Sequence, residues 1–133
     1  MVSVDLHPVA ALRPHEKTHA AHRRALKRQL VKNRYVTPIV ADRHSKTVLD
    51  GHHRLHAARE LGLIRIPVVF LDYGDGAIRV ETWRPGKPVA KQDVLDRAQQ
   101  GLLFAAKTTR HIYRGRHVSQ LAADVRVPFE ELV

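Results

Sequence analysis

The hydrophobic and polar positions along the chain fall into two patterns. Short apolar runs bounded by turn residues predict strands. They cover residues 2–6, 39–41, 47–49, 66–71 and 78–83. Apolar residues at helical spacing predict helices over residues 16–33 and 52–61, with Gly62 ending the second.

The remaining segments predict turns and further elements. Polar residues 42–46 indicate a hairpin turn between two of the strands. A third helix is expected after Pro88, and a last strand at 125–127 with a short helix after Pro128. The apolar face expected for the third helix consists of Val94, Leu95, Ala98 and Leu102. The pattern therefore predicts an α+β fold, a small mixed β-sheet packed with helices.

The length of 133 residues indicates one domain covering residues 1–133. The absence of cysteine excludes disulfides, thiolate metal sites and thiol catalysis. The apolar run near residues 66–71 is too short to span a membrane, and the first residues lack a signal-peptide pattern. We therefore expect a cytoplasmic protein without a membrane partner.

Lysine and arginine exceed aspartate and glutamate, 23 against 13, which gives a net charge of +10. Such a charge favours anionic ligands or polyanionic partners. Aromatic residues make up only 5% of the chain, and no DNA-docking motif accompanies the charge. The densest basic stretch, residues 22–34, has the pattern of a solvated helix face. We therefore expect nucleic acid to bind only non-specifically, if it binds.

The most informative segment is Asp50-Gly51-His52-His53-Arg54, between a predicted strand and a predicted helix. Gly51 allows close approach to the backbone, and the first amides of a helix favour an anion. Arg54 and the two histidines add donors, so the segment predicts a phosphate site. Asp50 would repel phosphate unless Mg²⁺ lies between them, which indicates a magnesium ligand, direct or through water. The alternative is that Asp50 caps the helix and the histidines are solvated.

Several segments together resemble known families. Residues 38–40, 48–54, 57–58, 61–62 and 66–68 resemble the N-terminal domain shared by the ParB and sulfiredoxin families. Pro14-His15-Glu16, Trp83-Arg84-Pro85 and Lys107-Thr108-Thr109-Arg110-His111 are similar to the free L-serine kinases. This resemblance implies a ParB/sulfiredoxin-type fold and the conversion of L-serine, with ATP or ADP as phosphoryl donor, to O-phosphoserine in amino-acid biosynthesis.

The resemblance also implies roles for individual residues. Glu16 would be the base for the serine hydroxyl, and Asp50 would polarise that hydroxyl or hold Mg²⁺. Phosphate and nucleotide would be bound by Gly51, His52, His53 and Arg54. Substrate would be bound by Trp83, Lys107, Thr108, Thr109, Arg110 and His111.

Each of these roles has a structural alternative. Glu16 could complement a helix dipole, and residues 107–111 could form a solvated basic loop. Trp83 could face a pocket or lie in the core. The other histidines show no metal-ligand spacing, so no zinc site is expected.

The related families carry different residues at the predicted strand-to-helix junction, residues 50–54. Sulfiredoxin chemistry needs a cysteine in the Gly-x-His-Arg turn, and this chain has none. ParB proteins carry Gly-Glu-Arg-Arg there and continue into a helix-turn-helix reader, for which we expect no room. The second hypothesis is a ParB-like nucleotide- or DNA-binding regulator without transferase activity. Glu16 with residues 107–110 favours the kinase, whereas the net charge favours the regulator.

Overall fold

The computed structural model describes residues 3–83, 88–105 and 108–133. The helices are α1 (Ala20–Asn33), α2 (His52–Glu60) and α3 (Lys91–Gln100). The strands are β1 (Asp5–Pro8), β2 (Tyr35–Val36), β3 (Ile39–Asp42), β4 (Val48–Asp50), β5 (Arg65–Leu71), β6 (Ile78–Thr82), β7 (Thr109–Tyr113), β8 (Arg116–His117) and β9 (Val127–Pro128). Three 3-10 turns cover Val9–Ala11, Val118–Ala122 and Phe129–Glu131. The α+β prediction is confirmed.

The strands form one mixed sheet and two smaller antiparallel sheets. The mixed sheet has the order β1-β5-β3-β4, with β3 and β5 parallel and the other pairs antiparallel. A second sheet has the order β6-β7-β8, and β2 pairs with β9. The predicted hairpin at residues 42–46 is present between β3 and β4. In the sequence, β7 and β8 were not predicted, because basic residues interrupt their apolar positions.

The mixed sheet is buried on both faces, which explains the nearly continuous apolar run of β5. Successive residues of a strand point to opposite faces. Ile66 and Val68 belong to a core packed with Leu55 of α2, whereas Val69 belongs to a second core packed with Val94 of α3. Helix α2 thus packs in the first core, and α3 and the β6-β7-β8 sheet in the second. Strand β4 lies at the sheet edge and contacts β7, so its end borders both layers.

Helix α1 begins at Ala20, four residues later than predicted. The backbone at Glu16 instead forms a bridge with Phe104, and the Lys17 N–H donates to the Phe104 carbonyl at 2.8 Å. This tertiary pairing competes with the helical hydrogen bonds of the predicted first turn. Glu16 therefore lies in an extended segment ahead of the helix, and the helix-dipole interpretation is wrong.

The other boundary differences have similar causes. Pro8 ends β1, an edge strand, where proline is tolerated. Leu102 lies beyond α3 and is 53% exposed, so the predicted apolar face ends earlier. In α1 only Leu30 is buried, and the apolar residues Ala21 and Ala25 are exposed. Across the described ranges, no helix is long and apolar enough to cross a membrane.

Gly51 is the residue whose replacement should be most disruptive at the β4–α2 junction. Its φ is +103°, and a Cβ there would lie 2.5 Å from Ile39 Cγ2. Gly62 also has positive φ, +75°, but a Cβ there would meet no atom within 4 Å. Gly62→Ala should cost about 1–2 kcal/mol of unfolding free energy for the left-handed backbone. Gly51→Ala should cost about 1–3 kcal/mol more, because Ile39 is overpacked as well.

Urea unfolding of both variants measures this difference. Equal losses of unfolding free energy would show that the Ile39 side chain can move away from the new methyl group at no cost in free energy. The junction would then not be tightly packed.

Candidate active site

A cavity of about 300 Å³ opens where the end of β4 meets the start of α2. Its lining brings together residues that are distant in the sequence. They are Glu16, His22, Leu26, Leu49, Asp50, Gly51, His52, His53, Arg54, Trp83, Thr109 and His117. Eight of the twelve predicted site residues are in this set, which is consistent with a shared site.

The start of α2 leaves backbone donors directed at this cavity. Gly51 is the N-cap residue and no side chain caps the helix. The interpretation of Asp50 as a helix cap is therefore wrong. The Leu55 N–H donates to the Gly51 carbonyl at 2.9 Å, so the amides of residues 52–54 precede the helical hydrogen-bond pattern. These amides and the helix dipole could hold an anion, and we call this position the anion site of α2.

Arg54 lies in the first turn of α2 beside this anion site. Its Nη1 donates to the Pro38 carbonyl at 2.6 Å, which orients the guanidinium. Burial lowers the pKa of Arg54, and the negative charge of Asp50 partly opposes that shift. Arginine remains charged at any physiological pH. The cation and the Asp50 carboxylate thus occupy the same wall of the cavity.

The carboxylate of Glu16 is held by strand β7. Its Oε1 accepts hydrogen bonds from the Thr109 backbone N–H at 2.6 Å and from the Thr109 hydroxyl at 2.7 Å. Both Glu16 and Thr109 line the cavity. Since two donors converge on one oxygen, the carboxylate has a defined orientation. The structure thus brings Glu16 to the same cavity as the anion site of α2.

Three histidines are buried behind this wall, and we call His15, His52 and His111 the histidine cluster. The rings of His15 and His52 meet edge to face with centroids 4.6 Å apart, and His15 lies 6.0 Å from His111. Burial lowers the pKa of His52 to about 3 and that of His111 to about 4. Burial, with the neighbouring His52 and His111, also holds the pKa of His15 well below its usual value. All three are therefore neutral near pH 7.

Within the histidine cluster, His52 accepts a hydrogen bond rather than presenting a charge. Its Nε2 accepts from the backbone N–H of His15 at 3.1 Å. A neutral imidazole has one donor and one acceptor nitrogen, so Nδ1 carries the proton. The predicted phosphate-binding role of the His52 side chain is thus limited to a neutral N–H.

His111 was predicted to contact substrate, but it is fully buried. Its Nδ1 lies 2.9 Å from the Leu49 carbonyl, which can only accept, so Nδ1 carries the proton. Its Nε2 accepts from the Tyr73 hydroxyl at 2.8 Å. Both ring nitrogens are therefore used within the protein, and His111 ties β7 to β4 beside Asp50.

His53 lines the cavity and contacts the start of α1. Its ring stacks on that of His22 with centroids 4.0 Å apart, and its Nε2 accepts from the His19 N–H at 3.0 Å. His53 therefore joins the start of α1 to the start of α2. Because it also lines the cavity, it is placed to contact a ligand there.

Trp83 follows β6 and is 51% exposed, so its interpretation as a core residue is wrong. It lines the cavity, and the guanidinium of Arg110 stacks 4.8 Å from its ring. Arg110 is next to the site through Trp83 and does not line the cavity itself. Thr108 does not line it either, since its hydroxyl donates to the Ala105 carbonyl. Lys107, Arg84 and Pro85 lie outside the described residues.

Four lining residues were not predicted from the sequence: His22, Leu26, Leu49 and His117. His22 was counted only within the basic stretch of α1, and Leu49 as a strand residue. His117 accepts from the Ser119 N–H through Nδ1 at 3.1 Å. No sequence motif marks His117, because β8 reaches the cavity only through its pairing with β7.

The residues that line the cavity decide whether Mg²⁺ could bind there. Among residues 3–83, 88–105 and 108–133, no group of three or more histidine, cysteine or acidic side chains could hold a metal ion alone. Magnesium in kinases is instead bound by one or two carboxylates together with substrate phosphates and water. Asp50, beside the anion site of α2, fits that arrangement.

The histidine cluster predicts a loss of stability as the pH falls. An unfolded histidine binds a proton near pH 6.5, whereas folded His52 and His111 do so only near pH 3 and pH 4. Between these values the unfolded state binds more protons, so the unfolding free energy rises with pH in this window. Each buried histidine contributes about 1.4 kcal/mol per pH unit below about pH 6.

Denaturant unfolding between about pH 7 and pH 5 tests this linkage. His111→Asn should reduce the slope of unfolding free energy against pH. His44→Asn, whose side chain is 72% exposed, should keep the wild-type slope. Equal slopes for wild type and His111→Asn would show that His111 is protonated in the folded protein.

Comparisons with known proteins show which proteins this chain is similar to. No protein-family model matches the chain. A ParB-like protein of Sulfolobus acidocaldarius is 38% identical over 72 residues, which cover 54% of this chain and 36% of that protein. An ATP-dependent L-serine kinase of Staphylothermus marinus is 43% identical over 51 residues, which cover 38% of this chain and 19% of that protein.

A solved structure extends the likeness to the fold. A glutamate-to-alanine variant of a free serine kinase, in complex with AMP, superimposes with a TM-score of 0.85 at 15% identity, covering 99% of this chain and 94% of that chain. The chain matches only part of the length of each sequence relative, 36% of the ParB-like protein and 19% of the L-serine kinase. The predicted resemblance is confirmed: the chain is related in sequence to a ParB-like protein and to an L-serine kinase, and it has the fold of a free serine kinase.

Proposed function

We propose that this protein is a free L-serine kinase that transfers a phosphoryl group from an adenine nucleotide to serine. One observation carries the proposal. The carboxylate of Glu16, oriented by Thr109, lines the same cavity as the uncapped N-terminus of α2. A base and an anion site in one cavity are the two elements that phosphoryl transfer to a hydroxyl requires.

The phosphoryl donor would be held at the start of α2. The amides of residues 52–54 would bind phosphate oxygens, and the Arg54 guanidinium would add a cation oriented by Pro38. Such preformed donors stabilise the charge that develops on the transferred group. His53, which lines the cavity, would contact the same ligand.

The acceptor would lie between this phosphate and Glu16. The serine hydroxyl oxygen attacks phosphorus, the bond from phosphorus to the leaving nucleotide oxygen breaks, and the hydroxyl proton passes to the Glu16 carboxylate. Trp83, with Arg110 stacked on it, would border the amino acid. Thr109 would keep the carboxylate directed at the hydroxyl.

Asp50 would hold Mg²⁺, directly or through water, or polarise the serine hydroxyl. The ion, when bound, neutralises charge on the phosphate oxygens. The Asp50 carboxylate lines the cavity beside Arg54, where it would repel an entering phosphate unless Mg²⁺ lies between them. The role of Lys107 at the substrate stays a prediction, whereas the side chains of Thr108 and His111 are engaged within the protein and do not line the cavity.

The wider assignment follows from the same proposal. Residues 1–133 would act as one kinase domain in the cytoplasm, in amino-acid biosynthesis. Either ATP or ADP would serve as donor. The alternative regulator is favoured by the exposed basic residues of α1, such as Arg24 and Arg28, and by the ParB-like relative.

Incubation with L-serine, Mg²⁺ and either ATP or ADP tests the function, with O-phosphoserine detected by mass spectrometry. Glu16→Gln should lower kcat by about 10²–10⁴-fold, because it removes the base. The amide oxygen can still accept both bonds from Thr109, so the variant should stay folded. The exposed Glu130→Gln is the matched control and should retain activity.

Full turnover of Glu16→Gln would exclude Glu16 as the base. Absence of O-phosphoserine from the wild type, together with sequence-selective DNA binding at physiological salt, would instead support the regulator.

Asp50→Asn should give a different kinetic signature. Loss of the carboxylate should lower kcat and raise the Mg²⁺ concentration needed for half-maximal rate, because both effects depend on one ligand. Glu16→Gln should leave that concentration unchanged. Measurement of rate against Mg²⁺ for both variants separates the two roles, and an unchanged Mg²⁺ dependence in Asp50→Asn would exclude Asp50 as a ligand.

A further inference from the structure

His52 stands where the anion site of α2 meets the segment that carries Glu16. It is the first residue of α2, and it lines both the cavity described above and a second one of about 340 Å³ on the other side of Glu16. Only 8% of the residue is exposed. The His52 ring therefore lies in the wall between two cavities rather than in either one.

The contacts of His52 are directed at the chain next to Glu16. Its Nε2 accepts from the His15 N–H at 3.1 Å, and its ring packs edge to face on the His15 ring. Nε2 is thus committed to the backbone.

Other hydrogen bonds attach the segment around Glu16 to parts of the chain outside α2. The Phe104 N–H donates to the His15 carbonyl at 2.7 Å, and the Lys17 N–H donates to the Phe104 carbonyl at 2.8 Å. The Thr109 N–H of β7 donates to the Glu16 carboxylate. The bond from the His15 N–H to His52, by contrast, attaches the segment to α2.

We propose that His52 is a positioning residue, whose ring holds the His15–Glu16 segment in register with the anion site of α2. It acts through a backbone hydrogen bond and does not bind phosphate as a cation. The expected effect on the rate rests on the proposed function. In that function, the bond from His52 sets the distance between the Glu16 carboxylate and the phosphoryl group. A displacement of about 1 Å at such a site lowers the rate by about 10²-fold.

Two isosteric replacements separate this role from phosphate binding. The amide group of glutamine reaches about as far as Nε2, and that of asparagine only as far as Nδ1. His52→Gln should therefore restore the acceptor for the His15 N–H, with kcat within about threefold of wild type. His52→Asn and His52→Ala should lower kcat by about 10–10²-fold. All three should change nucleotide affinity by less than about threefold, because the amides of α2 remain.

His56→Asn is the matched control. His56 is one turn further along α2 and pairs with Glu60 at the protein surface. Its replacement should leave kcat and nucleotide affinity unchanged. Thermal melting establishes that each variant is folded, and the two truncations provide separate tests should one of them unfold.

The amide signal of His15 in a ¹H–¹⁵N spectrum gives a readout that does not depend on activity. It should shift upfield and exchange faster in His52→Asn and His52→Ala, and it should keep its wild-type position more closely in His52→Gln. Titration with AMP should move the amides of residues 51–54 alike in all variants. An unchanged His15 amide in both truncations would overturn the proposal.

The kinetic outcomes are equally decisive. Wild-type kcat in His52→Asn and His52→Ala would show that the bond does not position the base. A loss of nucleotide affinity equal to the loss of kcat would show that the ring binds phosphate instead. If the wild type forms no O-phosphoserine, the proposed function fails. The chemical shift and exchange of the His15 amide in the variants then test by themselves whether His52 holds the segment.

Discussion

The site depends on keeping three histidines neutral in the protein interior. A buried imidazole is tolerated when each nitrogen has a fixed role as donor or acceptor, and a proton added to it would be costly. In His52 and His111 the acceptor nitrogen receives a hydrogen bond from the protein. These bonds join separate elements. The bond to His52 joins the His15 backbone to α2, and the bonds of His111 join Tyr73 and β7 to β4. The histidine cluster thereby fixes the relative positions of Glu16, Asp50 and the start of α2.

The second constraint is the tight junction between β4 and α2. Gly51 adopts a left-handed conformation against the buried Ile39, so the chain turns from strand to helix within one residue. Because no side chain occupies the cap position, the amides of the first turn remain directed at the cavity. A turn that is tight for packing reasons thus also creates the anion site. Asp50, the last strand residue, is carried to the edge of the same site.

The relation to known proteins is uneven along the chain. Sequence identity of 38–43% is confined to segments of 72 residues or fewer, whereas the fold matches over 99% of the chain at 15% identity. The remainder keeps its architecture because buried apolar positions accept many substitutions of similar volume.

The sequence by itself determined the local elements with strong periodicity, β3 to β5 and α2, and the strand-to-helix junction at Asp50–Arg54. Hydrophobic spacing and a glycine between strand and helix are local properties, so they can be recognised in one segment. Only the tertiary structure decided that Glu16 precedes α1, that His111 is internal, and that His22 and His117 line the cavity. Each of these depends on pairing between distant segments, such as Glu16 with Phe104 and His117 with Ile112. Local pattern carries no information about such pairs, because their energy comes from contacts that exist only after folding.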